Sequence, residues 1–339
     1  MLNRRNFLIS MSCALVLSSF SVLSSENRRV SKVDIGMSPQ RIRAIVSAGG
    51  VILFNKGTYR VGELKPPSNC ILSGGGQLTY SEGKGWDEEG TLLVGGVNCS
   101  NSTNVTVKDL TIDSFDSKGN ALCGMTPRTG NILIERVTTR ANNHGQLWEA
   151  NDSNPQNNNA IGNITAKDCV HYHGPNGFVT KHKNVSFINC KAIDVDVQAF
   201  VVVSDNINLN GRYSRATGTK IVSSKVYCKP GASALRIYSR SYENNINVLG
   251  VDDVKILDFY ASGEKGKLFY IGDAAGKNGH GKREYIPLIS QNIYIECNSQ
   301  VDVNKLKMRV AFCENVIIKA PTIGTTIEKG DEISKLKTI

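Results

Sequence analysis

The chain has 339 residues, with 40 Lys and Arg against 30 Asp and Glu, a net charge of +10. A hydrophobic share of 40% with 21% charged residues excludes wholesale disorder, and the length is ample for a large core. Frequent glycine (32) with scarce proline (9) reads as many short strands and tight turns, not a helical bundle.

Residues 1–25 read as an export signal. Arg4 and Arg5 precede Phe7-Leu8, an apolar but serine-laced stretch runs to Leu23, and Ser24-Ser25 close it before Glu26. This is the charged, apolar, small-residue order of a secretory leader, too short and too polar for a stable membrane span. The arginine pair resembles a bacterial twin-arginine signal, which exports folded proteins. A periplasmic or secreted protein is therefore expected, and Cys13 lacks the surroundings of a lipid-anchor site. Eight cysteines follow, from Cys70 to Cys313, widely spaced and without a CxxC pair. An even count in an exported chain suggests disulfides. Folding before export, in a reducing cytosol, favours buried free thiols instead.

Residues 26–37 read as a linker, and the domain is expected over 38–325 with a charged tail at 326–339. Ser38-Pro39 starts a short helix, Ser as cap and Pro in the first turn. Ile42, Ile45 and Val46 give it one apolar face and Gly49-Gly50 end it, as suits a cap over an open solenoid end. Next come Gly50-Val-Ile-Leu-Phe54, Gly57-Thr-Tyr59 and Asn69-Cys-Ile-Leu-Ser-Gly-Gly-Gly76.

A repeat then sets in: Asn, apolar, x, apolar, x, polar, apolar. It begins at Asn104, Asn131, Asn163, Asn184, weakly at Asn206, then at Asp253, Asn292 and Asn315, with steps of 27, 32, 21, 22, 47, 39 and 23 residues. The step of 47 predicts one degenerate turn hidden near 220–240, and the 32 and 39 steps predict loop insertions. Alternation within each copy is strand periodicity. Short strands at a period in the low twenties mean a solenoid. Leucine-rich repeats lack support because no leucine framework recurs. The fold that fits is all-β, a right-handed parallel β-helix with a monomeric core and a short N-terminal capping helix. Cys169 and Cys190 then stack one coil apart, and the recurrent Asn occupies a left-handed corner where amides can form a ladder.

The helix, the Gly-Gly-Val strand, the Gly-Thr-Tyr turn and the Ile/Leu-x-Gly-x-Gly step together resemble the opening of the pectin-lyase-like β-helix superfamily. The resemblance spans residues 38–320. It implies carbohydrate chemistry: polysaccharide lyases, glycoside hydrolases, uronate epimerases and tailspike-like depolymerases. The pectin-hydrolase branch also carries an Arg-Ile-Lys motif. Here Leu235-Arg236-Ile237-Tyr238 stands without the motifs that precede it in that branch. Exported β-helix proteins of exopolysaccharide clusters are similar in plan, which keeps a non-catalytic binding or assembly role as an alternative.

Alternation locates a candidate site. Counting from each Asn, the ninth residue points outward, giving Asp113, Arg140, Tyr172, Ile193, Arg215 and Ser262. His173 and Asp194 lie one residue further on. The segment from Asn142 to Asp152, with His144, Trp148 and Glu149, is expected as an overhanging loop forming a cleft wall. His144, His171, His173 and His182 fall within about two coils, and histidine suits proton transfer. His171 has inward parity and reads as core; His182, between Lys181 and Lys183, reads as a solvated basic turn. The expected catalytic set is Arg140, Tyr172, His173 and His144. Asp113, Trp148, Glu149, Lys181, Asp194 and Arg215 are the expected substrate contacts.

A base, a cation and a basic protein favour eliminative cleavage of an acidic, uronate-containing polysaccharide over hydrolysis, which needs two carboxylates about the bond. An epimerase would use the same groups as a lyase. No cofactor is expected; His171-x-His173 has no third metal ligand, and Asp194/Asp196 and Asp252/Asp253 are weak candidates for calcium. Scattered charge and 7% aromatics argue against nucleic acid as partner.

Overall fold

The computed structural model describes residues 28–153, 159–208, 212–241, 249–262, 269–272, 286–297, 307–319, 326–329 and 333–338. The expected export signal lies outside the described residues, as do residues 273–285, with His280 among them. The chain forms the expected right-handed parallel β-helix, its strands pairing almost wholly in parallel across successive coils.

Each coil has three faces. On face one an inward column runs Ile52, Leu72, Val107, Ile134, Ala166, Phe187, Ile221, Ile256, Ile295 and Ile318, each on its register partner. Face two stacks Val94, Asp113, Arg140, Tyr172, Ile193, Tyr227 and Ser262. Face three stacks Leu122, Gln146, Phe178, Phe200, Leu235, Phe269 and Met308. Apolar residues alternate with polar ones because one side of every strand faces the shared core. The Phe178, Phe187 and Phe200 rings fill its middle, with centroids 4.9–5.8 Å apart.

Corners are left-handed. Asn69, Asn104, Asn131, Asn163, Asn184, Asp253, Asn292 and Asn315 all have positive φ where the chain enters face one. Their amides bond along the axis, as Asn184 Nδ2 does to Asn163 Oδ1 at 3.2 Å and Asn315 Nδ2 to Asn292 Oδ1 at 2.7 Å. Asp109, Arg136, Asp168, Asn189, Ser223 and Asp258 turn the chain the same way between faces one and two. Asn and Asp lead here because short polar side chains tolerate this conformation.

The helix Pro39–Ser47 begins at Ser38, whose hydroxyl accepts from Arg41 N, and it buries Ile42 and Val46. The strand Val30–Val33, in the stretch read as linker, already pairs with Val51–Phe54. Pairing at the other end continues to Ile333–Thr338, inside the stretch read as tail.

The hidden coil exists but is not where Asn206 pointed. Asn206 lies in the face-three strand Gln198–Asn208, in register with Ser241. The true corner is Gly218, φ 65°, where a Cβ would stand 2.4 Å from Asn184 Oδ1. Thr217–Val222 and Lys225–Cys228 are the missing strands. Tyr227, not Arg215, therefore continues the outward column of face two.

All eight described cysteines are free thiols. Cys169 and Cys190 lie in the core, Cys169 Sγ donating toward Ile134 O at 3.7 Å and Cys190 Sγ toward Ala166 O at 3.5 Å. No described helix is long and apolar enough to cross a membrane.

Candidate functional site

Two outer clusters hold six of the ten predicted site residues. On face two, Asp113, Arg140 and Tyr172 stack as the parity predicts. The face there is not open. A hairpin, Tyr80–Ser81 with Gly85–Trp86, folds over it. Trp86 Nε1 donates to Asp113 Oδ2 at 2.8 Å, Arg140 Nη1 donates to the same oxygen at 3.2 Å, and Phe115 N donates to Oδ1 at 3.0 Å. The Arg140 guanidinium lies 4.6 Å from the Tyr80 ring centroid and 4.2 Å from that of Phe115. His173, a left-handed corner, sets its ring 5.0 Å from Tyr80, and Trp86 stands 6.1 Å from Tyr172. Burial and the nearby Asp87 push the Tyr172 phenol above its usual value. A raised phenol beside a clamped guanidinium is a poor base with a poor electrophile. The cluster is an aromatic-walled pocket with an ion pair at its base, in which Arg140 Nε, like Arg236 Nε on face three, has no hydrogen-bond partner.

Face three is different. His144–Glu149, expected as an overhanging loop, is a strand in register with Asn176–Lys181. Trp148 is therefore no substrate contact: it is fully buried, opposite Gly124, with Nε1 donating to Gln146 Oε1 at 3.4 Å. A polar Gln146 in the core is what disguises the strand. Outward from the same strands, Glu149 Oε1 meets Lys181 Nζ at 3.1 Å, and Lys181 Nζ lies 3.3 Å from Asp205 Oδ2. Arg240 grips both oxygens of Asp205, at 3.2 and 3.1 Å. Burial pulls the Lys181 ammonium down, but Glu149, Asp205 and Tyr238 together hold it well above its ordinary range. Only 1% of the Asp205 side chain is exposed. Tyr238 has the Arg236 guanidinium 4.7 Å and the Arg240 guanidinium 5.2 Å from its ring centroid. Tyr270, one coil on from Arg236, lies 5.8 Å from that guanidinium. Beside these groups Cys123, Leu147, Val179, Val201 and Val203 form a second buried apolar cluster, and Tyr238, 8% exposed, packs within it.

The remaining predicted residues scatter. The His144 imidazole is pushed down to about 4 by burial and then by Lys181, which keeps it neutral. His171 is core as predicted, 3.1 Å from Thr139 Oγ1 and held at about 3 by burial. His182 is not a solvated turn but fully buried, held at about 4 by burial. Lys183 N donates to its Nδ1 at 3.0 Å, so Nε2 carries the proton and donates to Thr126 O at 3.3 Å. Asp194 is a corner with φ 54°, near Lys229, which pairs with Asp196 at 2.7 Å. Arg215 bonds Gly250 O and Asp252 Oδ2, at 3.0 and 3.4 Å, outside both clusters. Among the described residues no three His, Cys, Asp or Glu side chains gather at metal-ligand spacing.

Sequence reasoning found Glu149 and Lys181 but missed Asp205, Arg236, Tyr238 and Arg240 as parts of one cluster. The signal was present: Ser233–Ser241 alternates apolar residues with Arg236, Tyr238 and Arg240.

No family model matches the chain, and no curated protein matches it. Solved structures do. The A-module of the Azotobacter vinelandii mannuronan C-5 epimerase AlgE4 superposes with TM-score 0.51 at 16% identity, over 89% of this chain and 93% of that one. The A-module of AlgE6 from the same organism gives 0.47 at 17%, over 88% and 91%. The Streptococcus pneumoniae surface adhesin PfbA gives 0.47 at 13%, over 91% and 97%. At such identities the likeness is one of fold, and the fold is the one expected from the resemblance.

Proposed function

We propose that the protein is an exported polysaccharide lyase acting on an acidic, uronate-containing polymer, with its reacting centre on face three around Tyr238. One observation carries this reading: the Arg236 and Arg240 guanidiniums lie against the ring of a single tyrosine mounted on a rigid sheet, and Asp205 ties Lys181 to the same Arg240. Elimination removes the proton beside the uronate carboxylate and expels the glycosidic oxygen from the next carbon, leaving a carbon–carbon double bond. It needs a proton acceptor and fixed positive charge where the carboxylate gathers electron density. Tyr238 stands for the acceptor and returns a proton to the leaving oxygen. Arg236, whose Nε has no hydrogen-bond partner, is the cation for the carboxylate. Lys181, fixed as a cation by two carboxylates, contributes field rather than proton transfer. The net charge of +10 draws an anionic polymer to the surface.

Hydrolysis fits less well. Glu149 and Asp205 would be its two carboxylates, but Lys181 is bonded between them where the glycosidic oxygen would have to enter. Epimerisation uses the same acceptor and returns the proton to the opposite face of the sugar. A mannuronan C-5 epimerase shares the fold, so uronate chemistry is compatible with the scaffold.

The test incubates the protein with a panel of polyuronates, following absorbance near ~235 nm for unsaturated product, since proton abstraction followed by elimination creates that chromophore. Reducing ends are assayed in parallel. A rise in both that Tyr238→Phe abolishes is the expected result. Reducing ends without absorbance would overturn elimination in favour of hydrolysis. Solvent deuterium entering the polymer without cleavage would establish an epimerase.

A further inference from the structure

We infer that face two carries a second, non-reacting site: an aromatic stripe that holds a length of anionic glycan along the helix axis. The inference rests on the acidic-polysaccharide reading for its ligand class, but on different residues. Tyr172, Ile193 and Tyr227 are consecutive partners in register on the outer side of this face. Tyr227 is 40% exposed, among the most exposed large hydrophobic residues described, and its ring lies 5.8 Å from that of Tyr260 on the next coil. An exposed, packed tyrosine pair on a rigid sheet serves nothing in the core. Rings of this kind offer their electron-rich faces to the C–H groups of a sugar, at little ordering cost because the strands already hold them.

The geometry selects a chain rather than a single small molecule. In-register strands repeat at about 4.8 Å, close to the length of one sugar residue along an extended polymer. Tyr172, Tyr227 and Tyr260 lie on the first, third and fourth of four successive coils, so the rings stand one or two sugars apart, with Ile193 between. The Tyr80 and Trp86 hairpin, with Tyr80 5.0 Å from His173 and 6.2 Å from Tyr172, closes one end of the stripe.

Charge selects an anionic polymer. Lys191 and Lys225 are register partners two positions before Ile193 and Tyr227, on the same outer side, and both are exposed. Neither is in an ion pair among the described residues, whereas Lys229 nearby is neutralised by Asp196. Two cations one coil apart match negative charges carried at the repeat of a polyuronate.

The test is affinity electrophoresis of the full chain through gels holding polymannuronate, polygalacturonate or uncharged dextran. Every protein carries Tyr238→Phe, so turnover does not consume the polymer. The parent is expected to be retarded in at least one anionic gel. Tyr227→Ala with Tyr260→Ala weakens that retardation about tenfold, the loss expected from two stacking rings. Phe at both positions retains it. Lys191→Ser with Lys225→Ser weakens it at low salt and flattens its salt dependence, because fewer counterions are released. All variants keep the parent's melting temperature. Unaltered retardation of the Tyr-to-Ala pair, loss in the Phe pair equal to that in the Ala pair, or no retardation of the parent in either anionic gel would each overturn the stripe. A wild-type protein that yields no unsaturated product while the parent is still retarded sinks the proposed reaction and leaves the stripe standing.

Discussion

Faces two and three belong to the same coils, with the same pitch and the same core, yet treat charge in opposite ways. On face two one ion pair, Asp113–Arg140, is isolated under a hairpin and wrapped by rings. On face three the charges run from coil to coil, Glu149 to Lys181 to Asp205 to Arg240, so every ion leans on the next. An isolated pair under rings keeps its charge local, although Arg140 Nε is left without a partner. A row of coupled ions beside a tyrosine concentrates field at one place on the surface, and electrostatic catalysis requires such a place.

The comparison breaks first at Lys181. Lys181→Met leaves Glu149 without its cation and Asp205 with Arg240 alone, and removing one partner from a buried row of ions costs about 3 kcal/mol. Urea denaturation should show the loss, with Lys181→Arg recovering much of it. A variant as stable as wild type would mean that the row is loosely held.

Acid titration comes next and probes the core behind both faces. His171 and His182 stay neutral in the fold, held at about 3 and about 4, whereas the unfolded chain takes up these protons near its ordinary value of 6.5. A depressed folded value means that stability is complete above pH 6.5 and declines as pH falls toward 4 and 3. At pH 5 each histidine should cost roughly 2 kcal/mol relative to pH 7. Melting curves across pH 4–7 check it, and Gln substitutions made singly divide the effect between the two sites.

Arg140→Met should cost less, about 1–2 kcal/mol from a lost ion pair and two ring contacts. Polymer cleavage, if it belongs to face three, should survive in the folded variant. A folded Arg140→Met protein without cleavage would move the reaction back to face two. The smallest effect belongs to the corners. Asn184→Ala removes one amide rung and places Ala in a left-handed conformation, for about 1 kcal/mol, visible as a shift in urea midpoint.

Much of this architecture was legible in the chain. Face one was plain because its inward residues are apolar except for Thr219 and its corners from Asn69 to Asn315, Gly218 apart, are Asn or Asp. The outward column of face two was correct through Ile193. It failed at the next coil because Asn206 imitates a corner while the true corner, Gly218, lacks the side chain that marks the others. Gly218 is there because any Cβ would strike Asn184. Face three was opaque for another reason. Its strands put Gln146 and Thr180 inward and Glu149 and Lys181 outward, so polar residues fall on both sides and alternation disappears. His182 misled similarly: two flanking lysines suggested solvent, but a backbone amide and a carbonyl satisfy its ring inside the protein. Partners that come from the next coil stand about twenty to thirty-five residues apart in the chain, as Lys181, Asp205 and Arg240 do, and leave no mark at short spacing.

The left-handed corners have a consequence for how such a chain tolerates length change. Strand side chains alternate with a period of two, so one residue added between two corners turns the following inward set outward. A corner of fixed bend cannot absorb that error. Faces one and two, joined by a single corner residue such as Asp168 or Asn189, are therefore written in a strict reading frame. The junction from face three back to face one is under no such rule. Asp152, with its bridge to Tyr213, belongs to one such junction, and Gly250, which accepts from Arg215, to another. Added length can be taken up there without shifting a strand's facing, as it is between faces two and three, where the stretch from Ser114 to Leu122 is longer than that from Tyr172 to Asn176.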